Sequence, residues 1–152
     1  MSLTSRLLDA QALQDLVERY FAAVDRKDET ATLACFGPQA LFGIANHGVS
    51  YQGRDTELRG MFERLHERYA RVWHGDFDHV LDVPRQRVAS RFRVENTTHA
   101  GELLHKNNCN FFLVQDGLFA QVWVYMSGDN SLRSHGGHPR VASGGRDSRA
   151  SQ

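Results

Sequence analysis

The sequence has no apolar run of the roughly 18 to 20 residues that a bilayer span needs, and its first ten residues, MSLTSRLLDA, lack the apolar stretch of a secretion signal. Only two cysteines occur, Cys35 in a helix-like context and Cys109 in a strand-like one. No disulfide framework can be built from them, and both are expected to be buried thiols. These absences lead us to expect a soluble, cytoplasmic protein with no membrane partner. Excess charge of one sign is also missing: 18 Lys and Arg balance 18 Asp and Glu. The basic residues are scattered among acids rather than gathered on one face, which argues against nucleic acid as a partner. No phosphate loop, dinucleotide fingerprint or nucleophile elbow is present, so no cofactor is expected. The pairs His74 with His79 and His135 with His138 lack the cysteines or carboxylates that would complete a metal site, so no metal is expected.

What is present suits one compact domain: 152 residues of which 41% are apolar. Residues 131–152 stand apart, with four Arg against one Asp, abundant Gly and Ser, and no apolar period. They are expected to form a disordered tail behind a mildly acidic domain spanning 1–130.

Leu13, Leu16, Val17, Tyr20, Phe21 and Val24 recur at the spacing of one helical face and predict a helix over 9–25. Asp28 is placed to cap a short second helix that buries Leu33 and Phe36 and ends at Gly37-Pro38. Two short strands, 40–44 and 49–51, flank the turn Asn46-His47-Gly48. A third helix follows Gly53, with Leu58, Met61, Phe62, Leu65, Tyr69 and Val72 on one stripe. From residue 76 the period falls to two. Strands are predicted over 76–83, from 87 to 95, from 103 to 114 and from 118 to 126, the last two joined at Gln115-Asp116-Gly117. The order α-α-β-β-α-β-β-β-β has no crossover helices between its late strands. It predicts an α+β fold in which three helices pack on one face of a curved, mainly antiparallel sheet.

Three segments carry a family resemblance: Tyr20-Phe-Ala-Ala-Val-Asp25-Arg-Lys-Asp28, Tyr51-Gln-Gly53-Arg54, and Phe111-Phe-Leu-Val-Gln-Asp116-Gly117 followed by Val122-Trp-Val-Tyr125. In order and spacing they resemble the nuclear transport factor two superfamily, which includes the ketosteroid isomerases and the SnoaL-like cyclases. The resemblance implies a cone-shaped sheet enclosing a pocket for a small apolar molecule, without specifying a reaction. In ketosteroid isomerases the pocket holds a tyrosine, matched here by Tyr20, an aspartate base, whose place falls at Ile44, and an acidic donor, whose place falls near Asn110. Lacking the base, isomerase chemistry of that type is disfavoured. Scytalone dehydratase and hexachlorocyclohexane dehydrochlorinase resemble the chain in a second way, through an aspartate late in the first helix and a histidine entering the third strand; Asp25 and His74 stand at those places.

The resemblance thus implies a cofactor-independent lyase, isomerase or cyclase, with His74 as base, Asp25 orienting it, and Tyr20 and Asn110 as hydrogen-bond donors. Ile44, Met61, His79, Asn108, Val122 and Met126 are expected to line the pocket. The alternative is a ligand-binding or scaffold protein that has lost the chemistry. Each of these residues also has an ordinary structural role open to it: Tyr20 and His79 as satisfied core groups, Asp25 as a solvated carboxylate, Asn108 and Asn110 as amides bonded to backbone. On the last strand Phe119, Trp123 and Tyr125 alternate with Val122, Val124 and Met126. The aromatic set is expected to face a second subunit in a homodimer through the sheet.

Overall fold

The computed structural model describes residues 6–132. Helix α1 runs over Ala10–Asp25, and its first turn is closed by Asp9, whose carboxylate accepts from the Ala12 amide. Its apolar face, including Leu13, Val17, Tyr20, Phe21 and Val24, is buried. Helix α2 (Glu29–Leu33) is capped in the same way by Asp28 on the Ala31 amide. Strand β1 (Phe36–Ile44), a single 3-10 turn and strand β2 (Val49–Gln52) follow. A π-wound segment, Gly53–Leu58, leads into helix α3 (Arg59–Arg68). Four long strands complete the chain: β3 (Tyr69–Asp82), β4 (Arg87–Thr98), β5 (Leu103–Gln115) and β6 (Leu118–Met126).

The strands form one open six-stranded sheet in the order β2-β1-β6-β5-β4-β3, antiparallel throughout except where β1 lies parallel to β6. The element order and the α+β class are those expected from the sequence. Helices α1 and α3 pack against β3, and the space between helices and sheet is filled by one apolar cluster. Its centre is aromatic: the Tyr20 ring meets Phe36, Phe62, Phe112 and Phe119 edge-on at centroid distances of 5.4 to 6.2 Å. Among the described residues, no helix is long and apolar enough to cross a membrane.

Several boundaries differ from expectation. Helix α2 stops at Leu33, and Phe36, Gly37 and Pro38 open strand β1 instead of ending a helix. Proline is accommodated because β1 pairs with β2 only from Leu41 onward, so an absent N–H at residue 38 breaks no ladder bond there. Helix α3 ends at Arg68, and Tyr69 and Val72 belong to β3. Their helix-like spacing arises from a register shift between Tyr69 and Arg71 that turns both to the interior.

Phe119 is fully buried in the core, contrary to the expectation that it shares an outer face with Trp123 and Tyr125. Ala120 is an extra residue between the pairs Val114–Phe119 and Leu113–Gln121, and it reverses the alternation. Cys35 is buried as expected, but Cys109 is exposed on the outer face of β5. Ser131 and Leu132 are buried, two residues past the boundary expected at 130, and residues 133–152 of the expected tail lie outside the described residues.

Candidate active site

Glu18, Phe21 and Asp25 are spaced by three and four residues, so they project from one side of α1. That side lies along β3. Phe21 stacks on Phe77 at 5.1 Å and packs at a tilt against the His74 imidazole at 4.8 Å. On either side of this aromatic contact stand two carboxylate–imidazole pairs, separated by two turns of helix, about 10 Å.

The first pair is Asp25 with His74. Asp25 Oδ1 lies 2.6 Å from His74 Nδ1, and Asp25 Oδ2 accepts from the His74 backbone amide at 2.9 Å. Both carboxylate oxygens are thus committed to one residue, which fixes the imidazole against rotation. An ionised carboxylate only accepts, so it selects the tautomer with hydrogen on Nδ1 and leaves the lone pair on Nε2. Phe21 and Phe92 pack on the ring. The side chains of His74 and Asp25 are 12% and 21% exposed, shielded but not sealed.

The second pair is Glu18 with His79, at 3.2 Å through Nε2. Here the other ring nitrogen is occupied as well, since Nδ1 lies 2.7 Å from the Ser90 hydroxyl. A bulge allows both histidines to face inward although their numbers differ by five: His74 pairs with Val94 and His79 with Ser90, five residues on β3 against four on β4. Asp76, in the bulge, takes a φ of 55°. The Trp73 ring packs over Gly75 beside it, so that a Cβ there would lie 2.2 Å from the ring and would displace it.

The other expected residues also face the interior. Tyr20 sits in the aromatic cluster, where burial, helped by the proximity of Cys35 and Asp25, pushes its ionisation far above the usual tyrosine range. It is a neutral phenol at all ordinary pH values. Asn110 is 3% exposed, and its Oδ1 has no hydrogen-bond partner among the described residues. Ile44, Met61 and Val122 are fully buried. Asn108 and Met126 are buried near the rim, where with Tyr125 and Cys109 they line a surface hollow of about 330 Å³. Asp25, His74 and Tyr20 do not line that hollow. Lys106 closes the same end, donating to the carbonyls of Ser127, at 2.7 Å, and Asp129, and burial lowers its pKa.

Glu18, Phe21, Ser90 and Lys106 were not singled out from the sequence as site residues. Glu18 was findable, being seven residues before Asp25 on the same helical face, and so was Ser90, the one hydroxyl in the apolar stripe Val88, Phe92, Val94. Lys106 carries no such signal. Among the described residues, no group of three or more His, Cys, Asp or Glu could hold a metal ion.

The architecture is an open α+β cone that carries a carboxylate-held histidine on its inner wall. The chain belongs to the SnoaL-like domain family, which it matches over residues 5–145. Solved structures agree on the fold. A proposed polyketide cyclase from Xanthomonas campestris pv. campestris superposes with a TM-score of 0.69 at 24% identity, covering 76% of this chain and 90% of that one. A proposed isomerase from Bacillus subtilis gives 0.69 at 10% identity, covering 77% and 87%. A Catenulispora acidiphila protein with a ketosteroid isomerase-like fold, in complex with trimethylamine, gives 0.65 at 12% identity, covering 73% and 84%. At these identities the likeness is one of fold. No curated protein sequence matches the chain.

Proposed function

We propose that the protein is a cofactor-independent acid–base enzyme, a lyase, isomerase or cyclase, acting on a small and largely apolar molecule with His74 as general base. The observation that carries this reading is the double hold of Asp25 on His74, which leaves Nε2 basic and aimed away from its partner. His74 Nε2 takes a proton from the substrate, and the Asp25 carboxylate stabilises the imidazolium that forms. The proton then returns to another substrate atom in an isomerisation or cyclisation, or departs with a leaving group in an elimination. Tyr20, neutral and buried, is suited to donate a hydrogen bond to a developing oxyanion. Proton abstraction at the ketosteroid isomerase position is not available, since Ile44 stands there.

The test is a thermal-shift screen of steroids, terpenoids and aromatic polyketides, with each hit incubated in D2O and analysed by mass spectrometry. Wild-type protein is expected to incorporate deuterium or eliminate a group from at least one hit. His74→Gln should lower that rate by about 10²- to 10⁴-fold, the range for loss of a positioned general base. Unchanged exchange in His74→Gln would remove the dyad from the mechanism. Binding without exchange in the wild type would favour the ligand-binding reading.

A further inference from the structure

Helix α1 closes with a reversal of the backbone: the amide of Lys27 donates to the Val24 carbonyl and that of Asp28 to the Ala23 carbonyl, both at 3.0 Å. This pattern requires a left-handed residue between helix and exit, and Lys27 fills the place with a φ of 57°. Glycine is the usual occupant, since a Cβ in that conformation crowds the neighbouring carbonyl. A lysine held there under strain points to a role for its side chain.

That role is visible at the far end of the side chain. Lys27 Nζ donates to the carbonyls of His66, at 2.9 Å, and Tyr69, at 2.7 Å, where α3 gives way to β3 without a loop. The last carbonyls of a helix have no partner within it, and an ammonium also suits the negative end of the helix dipole. Helix α3 holds α1 in the same manner, with His66 Nε2 3.2 Å from the Val24 carbonyl. Burial, opposed in part by that carbonyl and aided by the Lys27 charge, lowers the His66 pKa. The ring is therefore neutral around neutral pH and places its hydrogen on the nitrogen that faces Val24. Each helix end is closed by a side chain from the other.

The Asp25–His74 dyad lies inside this clamp. Asp25 follows Val24 on one side of it, and His74 lies along β3 from Tyr69 on the other. Asp25 spans the gap with two bonds, to Nδ1 and to the backbone amide of His74. Two short bonds from one carboxylate tolerate movement of only about 0.5 Å between helix end and strand. The apolar packing of α1 on β3 is non-directional, so it does not fix that distance; the polar ties at the helix end do.

We propose that Lys27 is a positioning residue for the Asp25–His74 dyad, acting with His66 to fix the end of α1 against the start of β3. The proposal rests on the reading of His74 as the base, and it gives Lys27 no contact with the reacting molecule.

Substitution by glycine separates this role from stability. Lys27→Gly removes the side chain and at the same time relieves the left-handed strain, so its urea midpoint is expected to stay close to that of the wild type. The readout is the Nδ1 hydrogen of His74, followed in long-range ¹H–¹⁵N spectra of the full chain without ligand. The wild type is expected to carry hydrogen on Nδ1 and to exchange it slowly with solvent. Lys27→Gly should exchange it about tenfold faster or more, because the Asp25 bond opens more often. Asp9→Ala removes the cap at the opposite end of the same helix; it should lower the midpoint and leave the exchange rate within about twofold of the wild type. An unchanged rate in Lys27→Gly, or an equal acceleration in Asp9→Ala, would overturn the proposal. A wild type with its hydrogen on Nε2 would instead remove the dyad reading, whatever Lys27→Gly does.

Discussion

At the scale of single residues, identical chemistry is put to two uses by what occupies the last free nitrogen. Asp25 and Glu18 both hold an imidazole, but only His74 keeps a basic nitrogen open. Asp25→Asn should therefore affect function through the tautomer as well as stability. The loss of one charge-assisted bond from a partly shielded pair is expected to cost about 1 to 3 kcal/mol, read from urea denaturation midpoints. Tyr20 makes a pH-dependent prediction. Burial raises its folded-state ionisation, so the native protein holds the phenol proton more tightly than the unfolded chain does. This contribution is fully present below the unfolded value of about 10 and is lost as pH rises beyond it. Tyr51 is shifted in the same direction, chiefly by burial. Melting temperatures measured from pH 8 to 11.5 should fall at the alkaline end in the wild type, and fall less steeply in Tyr20→Phe. Parallel curves would show that Tyr20 is not the group responsible.

At the scale of elements, the site depends on irregularities more than on regular structure. The helix α3 to strand β3 junction has no loop, and Lys27 secures it by donating to the carbonyls of His66 at 2.9 Å and Tyr69 at 2.7 Å. His66 Nε2 is in turn 3.2 Å from the carbonyl of Val24, near the end of α1. Lys27→Met keeps much of the stem and removes the donor; the expected cost is about 1.5 to 3 kcal/mol in total, measurable as a lower denaturation midpoint. The β3 bulge is the other irregularity. Gly75→Ala would drive a Cβ into the Trp73 ring, which also carries the Arg93 guanidinium at 5.6 Å. The ring can swing out to solvent, so the expected result is a red-shifted tryptophan emission with a loss on the order of 1 kcal/mol of stability, as for other strained or overpacked substitutions. Unchanged emission would show that Trp73 does not lie over residue 75 in solution.

At the scale of the molecule, the sheet presents an outer face that no helix covers. Phe111 is 41% exposed and Tyr125 52% exposed, and between them Trp123 lies flat over Gly43. We propose that a second copy covers this face. With Phe119 in the core, the contact rests on Phe111, Trp123 and Tyr125. Burying large aromatic side chains contributes roughly 1.5 to 3 kcal/mol each, set against the entropy of association. Sedimentation is expected to give the dimer mass at micromolar concentration, and Trp123→Asp the monomer mass. A wild type that sediments as a monomer would sink the proposal.

The sequence by itself determined the element order and the fold class, because these follow from period and capping residues carried within single segments, whereas the pairing of Asp25 with His74 was implied by the family resemblance alone. Asp9 and Asp28 precede their helices, and Val88, Ser90, Phe92 and Val94 alternate without interruption. The tertiary structure alone decided what depended on a single extra residue. The bulges at Gly75–Asp78 and Ala120 reverse side-chain parity, which put His74 and His79 on one face although they are five residues apart and moved Phe119 from the outer face to the core. A shift of one residue in a period of two exchanges the two faces of a strand, and no local pattern records it. The Glu18–His79–Ser90 line is of the same kind, joining three elements whose proximity exists only once α1 has settled along β3.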